Sequence, residues 1–156
     1  MIVVNRRGEL EAIIEQRIKE QGPNCDLNDI DVSEVEDMSF LFHGSKFNGD
    51  ISKWDTSKVV SMYHMFDSSP FTGDISKWDT SRVKDMSYMF TYSKFNGDIS
   101  EWDTSNVVDM NGMFLGSKFN GDISGWDTSK VESMDRMFEK SIFNGDISSW
   151  GVSRVE

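Results

Sequence analysis

Cysteine is nearly absent from this chain. Cys25 stands alone among 156 residues, so no internal disulfide and no thiolate metal cluster can form, and a reducing compartment fits. Long hydrophobic runs are missing too. No stretch approaches the roughly 18 apolar residues of a membrane span. The opening Met1-Ile2-Val3-Val4-Asn5-Arg6-Arg7 places its apolar residues before its charges, the reverse of a secretory signal. The chain as given reads as cytoplasmic, or as cell-surface if a leader has been removed. Histidine is scarce: His43 and His64 are the only two, and neither has a serine, cysteine or metal-ligand partner at motif spacing. No P-loop, H-E-x-x-H, G-x-S-x-G or G-x-G-x-x-G occurs. The expectation is therefore no enzyme, no cofactor and no metal. Positive charge is outweighed, with 27 acidic against 16 basic residues and a net charge of −11. Such a surface repels phosphate backbones and anionic membranes and favours basic protein partners.

What is abundant is repetition. Trp54, Trp78, Trp102, Trp126 and Trp150 follow one another at 24-residue steps, as do Phe47, Phe71, Phe95, Phe119 and Phe143. A period in this range marks stacked supersecondary units that cannot bury their apolar faces alone. The register begins at Asp26, where Asp26-Leu27-Asn28-Asp29-Ile30 aligns with Asp50-Ile51-Ser52-Lys53-Trp54. Full units begin at Phe47, Phe71, Phe95 and Phe119, and a fifth begins at Phe143. Residues 1–25 stand outside the period. Met1 to Val4 reads as a short strand. Leu10, Ile13, Ile14 and Ile18 fall on one helical face and predict a helix from Arg7 to Gln21, ended by Gly22-Pro23. This segment is expected to cap the stack.

Within a unit, Phe47, Gly49 and Ile51 alternate with polar residues and predict a short strand, kinked at the glycine. Val59, Met62, Met65 and Phe66 predict a short helix. Asp55-Thr56-Ser57 supplies its capping oxygens, and Ser33/Glu36, Ser129/Glu132 and Ser153/Glu156 have the spacing of capping boxes. The fold expected is an α/β repeat solenoid: about five 24-residue coils of strand plus short helix (26–156) behind a helical cap (1–25).

The unit F-N-G-D-I-S-x-W-D-T-S-x-V-x-x-M-x-x-M-F resembles the bacterial surface-protein repeat of about 25 residues found in mycoplasma and Listeria proteins, akin to BspA-like leucine-rich repeats. The resemblance covers residues 26–156. It implies a leucine-rich-repeat-like solenoid and no catalytic residues. The family often has D-V-S where this chain has Asp-Thr-Ser.

Function is expected where units differ. The variable positions are Tyr63-His64, Ser87-Tyr88, Asn111-Gly112 and Asp135-Arg136, followed by the four-residue linkers. Tyr63, His64, Tyr88, Tyr92 and Leu115 form a candidate protein-binding patch. Asp50, Asp74, Asp98, Asp122 and Asp146 form a candidate acidic face for a basic partner. Stacked strands would set them roughly 4.8 Å apart, where a column of carboxylates could also chelate calcium; hydrogen bonding to backbone or serine is the simpler reading. Phe143, Ile147, Trp150 and Val152 mark an open edge through which two chains could pair as a homodimer. Two functions follow. One is a non-catalytic protein–protein interaction module. The other is a small intracellular inhibitor, of phage origin for example, whose acidic surface blocks the basic groove of a nucleic-acid enzyme.

Overall fold

The computed structural model describes residues 1–156. The chain begins with strand β1 (Ile2–Val3), continues into helix α1 (Arg7–Gln21), and reaches strand β2 (Ile30–Asp31). β1 pairs with β2 in parallel, Ile2 opposite Ile30 and Val3 opposite Asp31. Leu10 and Ile14 bury the inner face of α1, with Ile13 and Ile18 packed alongside. Gly22 ends the helix at φ +89, where its N–H donates to the Ile18 carbonyl at 2.9 Å. Polar ties hold the helix to the units behind it. Arg17 forks onto both carboxylate oxygens of Asp29 at 3.0 and 2.5 Å, and Arg7 donates to the Ser39 carbonyl at 3.0 Å. No helix is long and apolar enough to cross a membrane.

Beyond Asp31, residues one period apart lie against one another. Phe47, Phe71, Phe95, Phe119 and Phe143 stack at successive centroid separations of 6.0, 6.3, 6.4 and 6.2 Å, with rings within 9° of parallel. A second column, Phe42, Phe66, Phe90, Phe114 and Phe138, stacks at 5.5–5.8 Å. These separations fall in the favourable range for aromatic pairs. Met62, Met65, Val59 and their counterparts Met86, Met89 and Val83 are fully buried in the same cluster as the columns. One apolar core therefore runs the length of the repeats.

Two side chains stitch each unit to its neighbours. The indole N–H of Trp54, Trp78, Trp102, Trp126 and Trp150 donates to the carbonyl of Leu27, Ile51, Ile75, Ile99 and Ile123 respectively, at 3.0–3.1 Å. The buried hydroxyls of Thr56, Thr80, Thr104 and Thr128 reach the other way, to the carbonyls of Asp79, Asp103, Asp127 and Gly151. A buried polar group must be paired, and no buried side-chain donor or acceptor is left without a partner.

The short helix expected in each unit is absent. Residues 61–69 form successive tight turns instead. Alternate N–H groups leave the unit: Met62, His64, Phe66 and Ser68 donate to the carbonyls of Asp85, Ser87, Met89 and Thr91 of the next unit. The intervening N–H groups of Met65, Asp67 and Ser69 close back three residues, onto Met62, His64 and Phe66. A helix needs all these donors for itself, so pairing between units displaces it. Val59, Met62, Met65 and Phe66 still face inward, because turns that close every three residues bring side chains round as a helix does. The Ser33/Glu36, Ser129/Glu132 and Ser153/Glu156 pairs consequently cap no helix. Asp55 Oδ1 accepts the N–H of Ser57 at 3.0 Å, capping a turn.

The expected strand at Phe47–Ser52 is also not formed. Its only ladder contact is the isolated bridge between Asp26 and Asp50, and the other bridges join Asp37, Ser61, Asp85, Asp109 and Ser133. The glycine explains the local path. A Cβ on Gly73 would lie 2.7 Å from the Phe71 ring, and the same holds for Gly97 under Phe95 at 2.8 Å. The phenylalanine ring folds back over the glycine two residues on, which a second side chain would block.

Candidate interaction surface

The turns of residues 61–69 and their counterparts need left-handed backbone at two positions per unit. These are Phe40 and Gly44, His64 and Ser68, Tyr88 and Tyr92, Gly112 and Gly116, and Arg136 and Lys140, all at φ between +50 and +61. The third residue of such a turn favours glycine, and only the unit at Gly112 and Gly116 has it twice. Elsewhere the strain falls on the variable residues, which the turns push outward along one ridge.

The ridge gathers three of the expected patch residues and one that sequence reasoning missed. His64 is held between two rings, Phe40 at 4.9 Å and 6° and Tyr88 at 4.8 Å and 9°. Tyr63 stands edge-on to Phe40, His64 and Tyr88 at 5.2, 4.3 and 6.2 Å. Phe40 is 40% exposed; its place one period before His64 was the signal that could have found it. The column stops at Gly112, where a Cβ would meet the Tyr88 ring at 2.4 Å. Tyr92 is apart from this cluster. Its ring covers Gly116 in the same way, at 2.3 Å, and it is 54% exposed. Leu115 is half-buried, and its carbonyl accepts the Tyr92 N–H at 2.7 Å.

The five aspartates of the acidic face are all exposed. Each accepts the N–H of the serine two residues on: Ser52, Ser76, Ser100, Ser124 and Ser148, at 2.9–3.0 Å. Hydrogen bonds to Ser52 hold the Asp50 carboxyl below its usual range, and those to Ser76, Ser100, Ser124 and Ser148 do the same for Asp74, Asp98, Asp122 and Asp146. The charges are thus kept, and neighbours feel one another: Asp98 and Asp146 both push the Asp122 carboxyl upward against that trend. The carboxylates do not converge on a common point; the one group of donors close enough to hold an ion is His43, His64 and Asp67.

At the other end, Trp150 is buried and stacks on Trp126 at 6.2 Å. Phe143 and Ile147 are half-buried, while Val152 is 56% exposed.

Stacked aromatic columns, indole-to-carbonyl stitches and a repeated turn ridge make this a tandem-repeat protein. The chain belongs to the family described as Mycoplasma protein of unknown function, DUF285, whose profile matches residues 15–116 and again 69–156. No curated protein and no solved structure matches it.

Proposed function

We propose that the chain is a non-catalytic protein-interaction module: a rigid solenoid, akin to BspA-like leucine-rich repeats, that presents its turn ridge to a protein partner. The observation that carries this reading is the Phe40–Tyr63–His64–Tyr88 cluster, with Tyr92 exposed separately on the same ridge. Aromatic side chains already ordered by mutual packing lose little conformational freedom on binding and bury large areas, as interface anchors do. The strained turns beneath them fix their positions on the scaffold. The test compares binding of the partner captured from the native host by wild type and by a Tyr63→Ala/Tyr92→Ala variant. The reading expects loss of binding by more than about tenfold, the scale of one anchor residue. Equal binding by both proteins would remove the ridge from the account.

The charge of −11 and the exposed aspartate column favour a second reading. In it, the acidic face occupies the basic groove of a nucleic-acid enzyme. That mode is screened by salt and competes with nucleic acid, whereas binding through the aromatic ridge resists salt. Titrating the same complex with sodium chloride separates the two.

A further inference from the structure

Both histidines of the chain meet at one carboxylate. His43 and Asp67 occupy the same register in adjacent units, one period apart, and His64 lies one turn before Asp67. His64 Nδ1 is 2.6 Å from Asp67 Oδ2, and His43 Nδ1 is 3.5 Å from the same oxygen. The donor atoms of all three residues lie within 4.8 Å of one another. We propose that His43, His64 and Asp67 form a binding site for one divalent metal ion of the zinc type.

Three features make this more than a chance meeting of polar groups. First, the donor set is right for a borderline metal. Two imidazoles and a carboxylate suit zinc, cobalt or nickel better than calcium or magnesium, which take oxygen donors. Second, the spacing is close to what coordination needs. Metal–ligand bonds of about 2.0–2.1 Å in a tetrahedron set the donors about 3.4 Å apart. The His43–Asp67 separation of 3.5 Å is within about 0.1 Å of it, the His64–Asp67 hydrogen bond need open by less than about 1 Å, and the two histidine donors, within 4.8 Å of each other, need close by at most about 1.4 Å. Third, the ligands are held in place by their surroundings. Asp67 is buried, with a side-chain exposure of 10%. Its other oxygen accepts the Ser68 hydroxyl at 2.7 Å, and its carbonyl accepts the Gly44 N–H at 2.9 Å. The His64 ring is clamped between Phe40 and Tyr88, and its backbone is fixed at φ +52.

His43 is the exposed ligand: its side chain is 49% exposed, and its ring rests edge-on against Phe40 and His64. Three protein ligands leave a coordination position open to solvent, as in zinc sites that take an exogenous ligand. His43 and Phe40 also line a cleft of about 360 Å³ between α1 and the first unit, together with Glu11, Glu15 and Ile18. The three residues are therefore at the rim of this cleft and at the head of the aromatic ridge. The columns do not repeat the set: the residues in register with Asp67 further along are Thr91, Leu115 and Glu139. The site occurs once.

The experiment is calorimetric titration of the chelator-treated full chain with zinc chloride, and with magnesium chloride as the control ion. The expected result is one zinc ion bound per chain, no comparable magnesium binding, and a zinc affinity lowered roughly 100-fold or more by His43→Ala or Asp67→Asn, since even an outer-sphere partner is worth ~10–100-fold. His64→Gly should do the same while keeping the left-handed turn, because glycine stands at that register in Gly112. Glu101→Gln, exposed and remote from the site, should bind like wild type. Circular dichroism of each variant verifies that it is folded, and cobalt substitution gives a second readout, since a folded wild type should develop the visible absorption of tetrahedral cobalt. Absence of zinc binding by the wild type would overturn the proposal, as would binding that folded His43→Ala retains in full.

Discussion

Trp78 donates its indole N–H to the Ile51 carbonyl of the preceding unit at 3.1 Å, inside a buried contact. The same bond recurs at every tryptophan, always 27 residues back. It explains why tryptophan, and no smaller aromatic, holds this register: the ring fills the core while its one polar atom joins two units. Trp78→Phe removes the indole donor and leaves the Ile51 carbonyl with the Trp54 N–H alone, at 3.2 Å. The expected loss is about 1–3 kcal/mol of unfolding free energy, from the lost hydrogen bond and the lost volume. Urea denaturation measures it, and a change below ~0.5 kcal/mol would mean that the indole bond contributes nothing net.

Tyr88 and Gly112 should be energetically coupled. A side chain at Gly112 meets two obstacles, the φ of +55 and the Tyr88 ring 2.4 Å from the new Cβ. Arg136 tolerates φ +57 at the same register, so backbone strain alone is bearable, at about 1–2 kcal/mol. Gly112→Ala in the wild type should cost that plus about 1–3 kcal/mol of overpacking. In a Tyr88→Ala background the overpacking should vanish. A double-mutant cycle reads the difference directly, and additivity within ~0.5 kcal/mol would show that the ring does not rest where the structure places it.

Acid should weaken the protein in a definite window. Hydrogen bonds to serine lower the carboxyls of Asp50, Asp74, Asp98, Asp122 and Asp146 below the ordinary aspartate value of 3.8. A carboxyl whose folded value is depressed adds stability that is complete above the unfolded value and disappears as pH falls through the folded one. The urea midpoint should therefore hold down to about pH 4 and drop below it. A midpoint that stays flat through that range would contradict the serine bonds.

Asp109 runs the other way. Burial raises its carboxyl, and Asp85 and Asp135 raise it further. A raised acid costs stability whenever it is ionised, and the cost disappears below the unfolded value. Asp109→Asn keeps an oxygen for the Asn111 N–H, now accepted at 2.8 Å, and removes the charge. The variant should be more stable than wild type at neutral pH and no more stable at strongly acidic pH. Lower stability at neutral pH would refute this.

Much of this structure could be read directly from residue spacing. Leu10, Ile13, Ile14 and Ile18 mark α1 over Arg7–Gln21, the span it occupies, and the tryptophan and phenylalanine periods identify the columns that stack. The path inside each unit was less legible. Val59, Met62, Met65 and Phe66 recur as helical residues would, yet their backbone donors are divided between closing turns and bonding the next unit, and side-chain periodicity does not report that division. The left-handed turn positions were hidden as well, because His64, Tyr88 and Arg136 stand where glycine is expected, and Gly112 alone betrays the conformation at that register, with Gly44 and Gly116 at the next. His43 and His64 seemed unrelated because ligand spacing is usually sought along the chain. In a stack, a residue's neighbour lies one period away, and there His43 finds Asp67.

The central claim is that the aromatic ridge, rather than the acidic face, meets the partner. The most direct measurement is site-specific photocrosslinking in the native host, with the photoreactive residue placed at Tyr92 on the ridge or at Asn144, an exposed residue two places before Asp146 of the acidic face. The account predicts one discrete protein adduct from position 92 that persists at high salt, and none from position 144. An adduct from position 144 alone, or adducts of equal yield from both positions, would contradict it.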